Sequence, residues 1–255
     1  MKHRLFILFF TFSMIKILAT GQEPDRIVIN NKEYNLLNNP LEKYFTDHPH
    51  HHPIYGSHNV IKKKGKETVI FVGSTSNHRG YIATFKIENN ILSVEDIKIK
   101  NVNSEEHEYI SVFKKIFGDQ KIVLNYSGIL IIPMGKMLEA ASFGYSSLHD
   151  KYHLITIQQD HVVKEKEIDQ DDFKRFKVRQ FMDYKKTEEY KTEVQNYYKD
   201  WSISKEWDLS RKNTRGMSKQ EIDKLKKDYE CPPDENYIDN FLFVIANPDF
   251  VITDY

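Results

Sequence analysis

The stretch from Gly80 to Ile99 constrains this chain more than any other. Tyr81, Ala83, Phe85 and Ile87 occupy every second position, so they line one face of an extended strand. Glu88-Asn89-Asn90 follows, and Asn tolerates the left-handed backbone that a two-residue turn demands. Leu92, Val94, Asp96 and Lys98 then alternate with Ile91, Ser93, Glu95, Ile97 and Ile99 on a return strand. The spacing predicts an antiparallel hairpin with one apolar face, which needs further strands or helices to bury it.

The rest of the first two thirds supplies them. Arg26–Ile29 and Lys32–Leu36 flank Asn30-Asn31 and read as a second hairpin. Thr68-Val69-Ile70-Phe71-Val72 has the β-branched and aromatic content of a buried strand. Lys121–Tyr126 and Gly128–Pro133 read as two more. Tyr152–Ile157 and His161–Lys166 pair across Gln158-Gln159-Asp160. Between them, Lys136–Ala141 is expected to be helical. Asn38-Asn39-Pro40 is a turn leading into a short turn-like or helical piece over Leu41–Phe45. Asp47-His48-Pro49-His50-His51-His52-Pro53 reads as a loop, because its two prolines interrupt any regular element.

After residue 166 the pattern changes. Asp171-Asp172 suits a helix start, where carboxylates meet the positive end of the dipole. Phe173, Phe176, Phe181 and Tyr184 share one face, and Tyr190, Val194, Tyr197, Tyr198 and Trp201 continue as an aromatic stripe at helical spacing. Ser218 and Glu221 form a capping-box pattern opening a helix to Tyr229, which Cys231-Pro232-Pro233 stops. Phe241–Ala246 reads as an apolar strand returning to the sheet. The expected fold is therefore α+β: a mainly antiparallel β-sheet with one long and one short C-terminal helix packed on it. Residues 22–255 are expected to form a single domain, with 22–166 β-rich, 167–230 helical and 231–255 a returning strand.

The N-terminus reads as a secretory signal peptide over residues 1–21. Lys2, His3 and Arg4 precede the apolar run Leu5–Ile15, and the small residues Ala19 and Gly21 suit cleavage before Gln22. The run is shorter than the ~20 residues a spanning helix needs, and Lys16 interrupts it, so stable membrane insertion is not expected after cleavage. A periplasmic or secreted protein follows. The whole chain has 37 basic and 37 acidic residues, and losing Lys2, Arg4 and Lys16 leaves a net charge of −3. That is no footprint for nucleic acid. Cys231 is the only cysteine, so no internal disulfide forms and stability rests on packing.

The segment Arg79-Gly80-Tyr81-Ile82-Ala83-Thr84-Phe85-Lys86-Ile87, with Leu92-Ser93-Val94-Glu95-Asp96-Ile97, resembles a family of exported bacterial proteins found in Bacteroidetes-type genomes. Ile29–Leu41 and Lys164-Glu165-Lys166-Glu167 carry the same resemblance. Some members look like immunity or accessory proteins. Many have Trp before the Arg-Gly-Tyr, where this chain has His78. The resemblance implies a fold and brings no chemistry with it.

Two sets of side chains are candidates for a site. His48, His50, His51 and His52, with His58 nearby, are imidazoles that bind zinc, copper or nickel when neutral. Adjacent loop residues rarely converge on one ion, and a solvated polar loop is the plainer reading. His78 and Arg79, at the entry to a strand that begins with Tyr81, are suited to an anion or carboxylate. The plainer alternative is that Arg79 pairs with an acidic residue of a neighbouring strand and orders the turn. Glu105-Glu106-His107-Glu108 lacks the spacing of a metalloprotease helix. No nucleophile elbow or phosphate loop is present. The expectation is a non-catalytic exported binding or accessory protein with a protein partner and no cofactor. The alternative is a metal-binding protein or enzyme using the His-rich loop or His78 with Arg79.

Overall fold

The computed structural model describes residues 21–57, 76–101, 108–141 and 144–255. Most of the expected signal segment, the expected strand at Thr68–Val72, His58 and Glu105–His107 lie outside the described residues. The contact pattern divides the chain into two compact units, one reaching to Lys177 and including Asp249–Tyr255, the other Val178–Pro248. The fold class is α+β.

Among the described residues the first unit has eight strands: β1 (Asp25–Ile29), β2 (Lys32–Leu36), β3 (Tyr81–Glu88), β4 (Ile91–Lys100), β5 (Tyr109–Ser111), β6 (Gly128–Glu139), β7 (Leu148–Gln158) and β8 (His161–Asp169). Their order is β2-β1-β3-β4-β8-β7-β6, with β5 paired to β4. Among these described strands every pairing is antiparallel except β1 with β3. The three tight hairpins sit at the expected turns. Asn30 and Asn31 (φ 51° and 59°) and Asn89 and Asn90 (φ 52° and 62°) adopt the left-handed backbone their sequence suggests. In the third turn Gln159 and Asp160 do so at φ 46° and 66°.

Asp160 has a second task. Its carboxylate accepts the amides of Leu124, Asn125 and Tyr126 at 3.0, 3.0 and 2.8 Å. Those amides are therefore unavailable to a ladder, and Lys121–Tyr126 is an irregular connection in which Asn125 takes φ 51°, not the strand its composition suggests. The expected helix at Lys136–Ala141 is also corrected. Those residues lie mostly in the second half of β6, where Met137 pairs with His149 and Glu139 with Leu148. Pro133 and Gly135, both poor helix formers, lead into it.

β3 buries Tyr81, Ala83 and Phe85 completely, as its alternation predicts. β4 buries Leu92 and Val94, then Ile97 and Ile99, leaving Asp96 and Lys98 on the other face. The register shift opposite Thr84 and Phe85 makes Glu95 an extra residue and resets the alternation. The first half of β6 and the second half of β7 are buried on both faces: Leu130, Ile132, Ile155 and Ile157 join the core with β3 and β4, while Ile129, Ile131, Tyr152 and Leu154 pack with Phe173 and Phe176. This explains the uninterrupted apolar run in β6. The outermost strands of the order also meet. Leu37 N–H bonds Ile131 O at 2.9 Å, and the fully buried Asn38 side chain donates to Ile129 O at 3.1 Å and accepts from Ile131 N–H. Asn38 thereby acts as a strand residue at the free edge of β6.

Its described residues also form two short helices, α1 (Pro40–Asp47) and α2 (Phe113–Phe117). Pro40 opens α1, where a missing N–H costs nothing, and the helix buries Leu41, Tyr44 and Phe45. Pro49–His51 is a single 3-10 turn, so the segment expected as a loop is partly ordered.

The helical region contains α3 (Gln170–Tyr184), α4 (Glu188–Asp208), α5 (Lys219–Asp228) and α6 (Glu235–Ile245). The expected single long helix is two. Thr187 ends the first by donating to Tyr184 O at 2.8 Å and caps the second by accepting from Tyr190 N–H at 3.2 Å. Ser218 and Glu221 form the capping box as expected. The reading of residues 231–255 as a returning strand is overturned: Phe241–Ile245 belongs to α6. Asp234 caps that helix, and its buried residues Ile238 and Leu242 are one helical turn apart. A short apolar run has no period of its own, so the upstream cap and these packing partners decide. The aromatic stripe of α4 packs on other helices of its own unit. Tyr190 stands edge-on to Tyr184 at 5.7 Å and Tyr197 meets Phe241 at 5.1 Å between ring centroids.

Candidate functional site

Arg79 enters from a turn that Asn77 holds. Gly80 N–H bonds the Asn77 side-chain oxygen at 3.0 Å, and Gly80 takes φ 79°, which its lack of a side chain permits. The Arg79 guanidinium then reaches three groups. It donates to Asp25 Oδ2 at 2.8 Å, to Glu23 O at 3.1 Å and to the Tyr145 hydroxyl at 3.3 Å. Its carbon lies 5.1 Å from the centre of the Tyr81 ring, within cation–π range. The other oxygen of Asp25 accepts Ala83 N–H at 2.8 Å, so both oxygens of this fully buried carboxylate are engaged.

A second layer surrounds the pair. The Tyr81 hydroxyl donates to Glu42 Oε1 at 2.5 Å, and Tyr145 donates to Asn39 Oδ1 at 3.0 Å. Tyr109 donates to Glu23 Oε2 at 2.5 Å. Burial raises the Asp25 carboxyl above its ordinary range, against the opposing pull of Arg79 and the Ala83 amide. Burial disfavours the Arg79 cation, and the facing Asp25 more than offsets this, so its pKa is raised. Burial, reinforced by Glu42, puts the Tyr81 hydroxyl well above its usual value, and burial raises Tyr145 to about 12.

The geometry joins part of the two candidate sets around Tyr81. The His52 ring stands edge-on to Tyr81 at 5.7 Å between centroids. Its Nδ1 accepts two amides, from Ile54 at 3.1 Å and Tyr55 at 3.2 Å, which requires that nitrogen to be unprotonated. Burial lowers its pKa against the attraction of Glu42. His48 and His51 stack with Tyr44, and His50 meets those two rings at 6.3 and 4.0 Å between centroids. His48 lies 4.4 Å from the Tyr44 ring at 16°, and His51 Nδ1 bonds the Tyr44 hydroxyl at 2.8 Å. His48 Nδ1 is 3.1 Å from Tyr44 O. Among the described residues no three His, Cys, Asp or Glu side chains are placed to hold one metal ion. His78 is exposed and stands apart from the buried cluster its neighbour Arg79 enters.

The sequence marks Arg79 and Tyr81 as candidates, whereas Asp25, Glu42, Asn39 and Tyr145 carry no local signal of a place in this cluster. These partners come from separate elements, and no local spacing links them. A second buried set is likewise without a local signal. The Tyr126 hydroxyl donates to Asp249 Oδ2 at 2.9 Å. Burial raises Asp249 to about 6, and burial lowers Lys177 to about 8.

Both sets are closed by the protein's own donors and acceptors. The Arg79 side chain is 12 % exposed, and its three polar partners belong to the chain itself. Such an arrangement locks the start of β1 to the start of β3. No family model matches the chain, and no curated protein or solved structure aligns with it significantly.

Proposed function

We propose that this chain is a non-catalytic exported binding protein whose protein partner docks on α6. One observation carries the reading. Helix α6 has two apolar faces: Ile238 and Leu242 are buried, while Tyr237, Phe241, Val244 and Ile245 are 59, 38, 49 and 38 % exposed. The exposed set follows the i, i+4, i+7, i+8 spacing of a continuous stripe. An apolar stripe open to water favours association, since contact removes it from solvent. Export rests on the positively charged and apolar pattern of residues 1–21. The resemblance of the Arg79–Ile97 hairpin to exported bacterial proteins supports an immunity-like or other accessory role.

No helix among the described residues is long and apolar enough to cross a membrane. The test is a complex of fixed stoichiometry between the native chain and a protein of the same exported fraction, measured by light scattering. A variant carrying Val244→Lys should lose the complex while keeping its unfolding midpoint. A partner bound equally by that variant removes α6 from the interface, and substrate turnover by the purified chain removes the non-catalytic reading.

A further inference from the structure

Helix α4 packs one side into its own unit and leaves the opposite side bare. Tyr197 meets Phe241, and Trp201 meets Tyr229 at 5.8 Å between ring centroids. Ile203 lies two residues beyond Trp201, roughly 200° of helical rotation away. Trp207 is one turn further on, in line with Ile203. These two side chains are 54 and 58 % exposed. The connection that follows supplies charge. From Leu209 to Gln220 it carries Arg211, Lys212, Arg215 and Lys219 and no acidic residue. All four are exposed, and no ion pair holds them among the described residues. The backbone between them is ordered by its own bonds. Asn213 and Thr214 N–H reach Ser210 O at 3.1 and 2.9 Å, and Asn213 Nδ2 donates to Asp208 O at 3.2 Å. The turn brings Lys212 Nζ to 5.3 Å from the centre of the Trp207 ring and leaves Met217 40 % exposed.

We propose that the α4–α5 connection is a contact surface for anionic phospholipid bilayers, with Trp207 in the headgroup region and the four cations on lipid phosphates. The contact is peripheral and involves no membrane-spanning helix. From Ile203 to Gln220 the basic residues are Lys205, Arg211, Lys212, Arg215 and Lys219 and the acidic ones Glu206 and Asp208, so the local charge is 5 − 2 = +3. The charge balance of the whole chain conceals this patch. An acidic protein would attract the same cations, and the apolar members decide for lipid. An indole prefers the membrane interface, where its ring is shielded and its N–H stays hydrated. Long Lys and Arg side chains flanking it can lay their stems on the apolar boundary and keep their charges on the phosphates, which a fluid surface rearranges to meet. The surface lies on a different helix from the α6 stripe and does not depend on a partner there.

The test uses the full chain and two sets of vesicles, phosphatidylcholine alone and phosphatidylcholine with about one third phosphatidylserine. In a Trp201→Phe variant Trp207 is the one remaining tryptophan, so its emission reports this site. The emission should shift to the blue on anionic vesicles and stay unshifted on neutral ones. Adding Arg211→Gln and Lys212→Gln should weaken binding to anionic vesicles about 20-fold to 30-fold, at about 1 kcal/mol for each cation removed. The two proteins share residues 1–21, so the difference between them belongs to the connection, and an equal unfolding midpoint shows that the fold is intact. Unshifted Trp207 emission on anionic vesicles, an equal shift on neutral ones, or unchanged binding after loss of the two cations overturns the proposal. Capture of an acidic protein by these cations without any vesicle binding overturns it in favour of a protein partner.

Discussion

Arg79 and Asp25 are joined across 54 residues of sequence by a 2.8 Å hydrogen-bonded ion pair. The Asp25 carboxylate has no exposed surface, and its second oxygen is held by Ala83 N–H. The pair fastens the first described strand to the third, which run parallel to each other.

Arg79→Ala should destabilise the first unit by about 3–5 kcal/mol, because it leaves a buried carboxylate without its counter-charge. Arg79→Lys should recover only part of this, since an ammonium cannot reach Asp25, Glu23 and Tyr145 together. Urea unfolding followed by tyrosine and tryptophan fluorescence measures both.

Asn38→Ala removes the side chain that both donates to Ile129 and accepts from Ile131. Two main-chain groups at the edge of β6 lose their partner, at a cost of roughly 1–3 kcal/mol. Hydrogen exchange at the Ile131 amide should accelerate in this variant, with little change at Phe85 in the middle of the sheet.

Gly128 allows a close approach to the C-terminal segment. A Cβ there would lie 2.3 Å from Asp249 O, a backbone atom that cannot swing aside. The same oxygen accepts Ile129 N–H at 2.6 Å. Gly128→Ala should therefore loosen residues 249–255, at roughly 1–3 kcal/mol as for other overpacked sites. Limited proteolysis should cleave that segment in the variant at protease levels the native chain resists.

Asp249 and Lys177 make opposite pH demands. Burial raises Asp249 to about 6 in the folded chain, so the folded state holds a proton that the unfolded state releases near pH ~4. Its contribution is present at low pH and is lost as pH rises to about 6. Burial lowers Lys177 to about 8, below its unfolded value near ~10.4, so stability recovers as pH rises between those values. The melting temperature should dip by roughly several degrees between the two windows. Asp249→Asn, which still accepts from Tyr126, should abolish the slope from pH ~4 to about 6; an unchanged slope assigns it to Asp25 or another buried acid.

The hairpins were legible because their signals are local. Asn30-Asn31 and Asn89-Asn90 need only their own backbone to turn, and alternation in β3 needs only its own side chains. Ser218 with Glu221 was legible for the same reason. In the candidate site, Arg79 and Tyr81 were visible through their place in the hairpin. Asp25, Glu42 and Tyr145 were not, since each becomes a partner only after distant elements meet. The histidines drew notice by proximity in sequence, yet three of them are organised around the single ring of Tyr44 or the backbone of their own turn.

The amino-acid sequence by itself determined the α+β class, the places where strands turn and the points where helices are capped, because those choices are settled by interactions within a few residues. Tertiary structure decided the rest. An extra residue at Glu95 reversed the inward set of β4, since register is fixed by the facing strand. Phe241–Ile245 became helix through Asp234 and the packing of Ile238 and Leu242. Arg79 became the anchor of Asp25, and Asn38 the closure of the sheet, because a buried polar group takes whatever partner the assembled chain brings within hydrogen-bond reach.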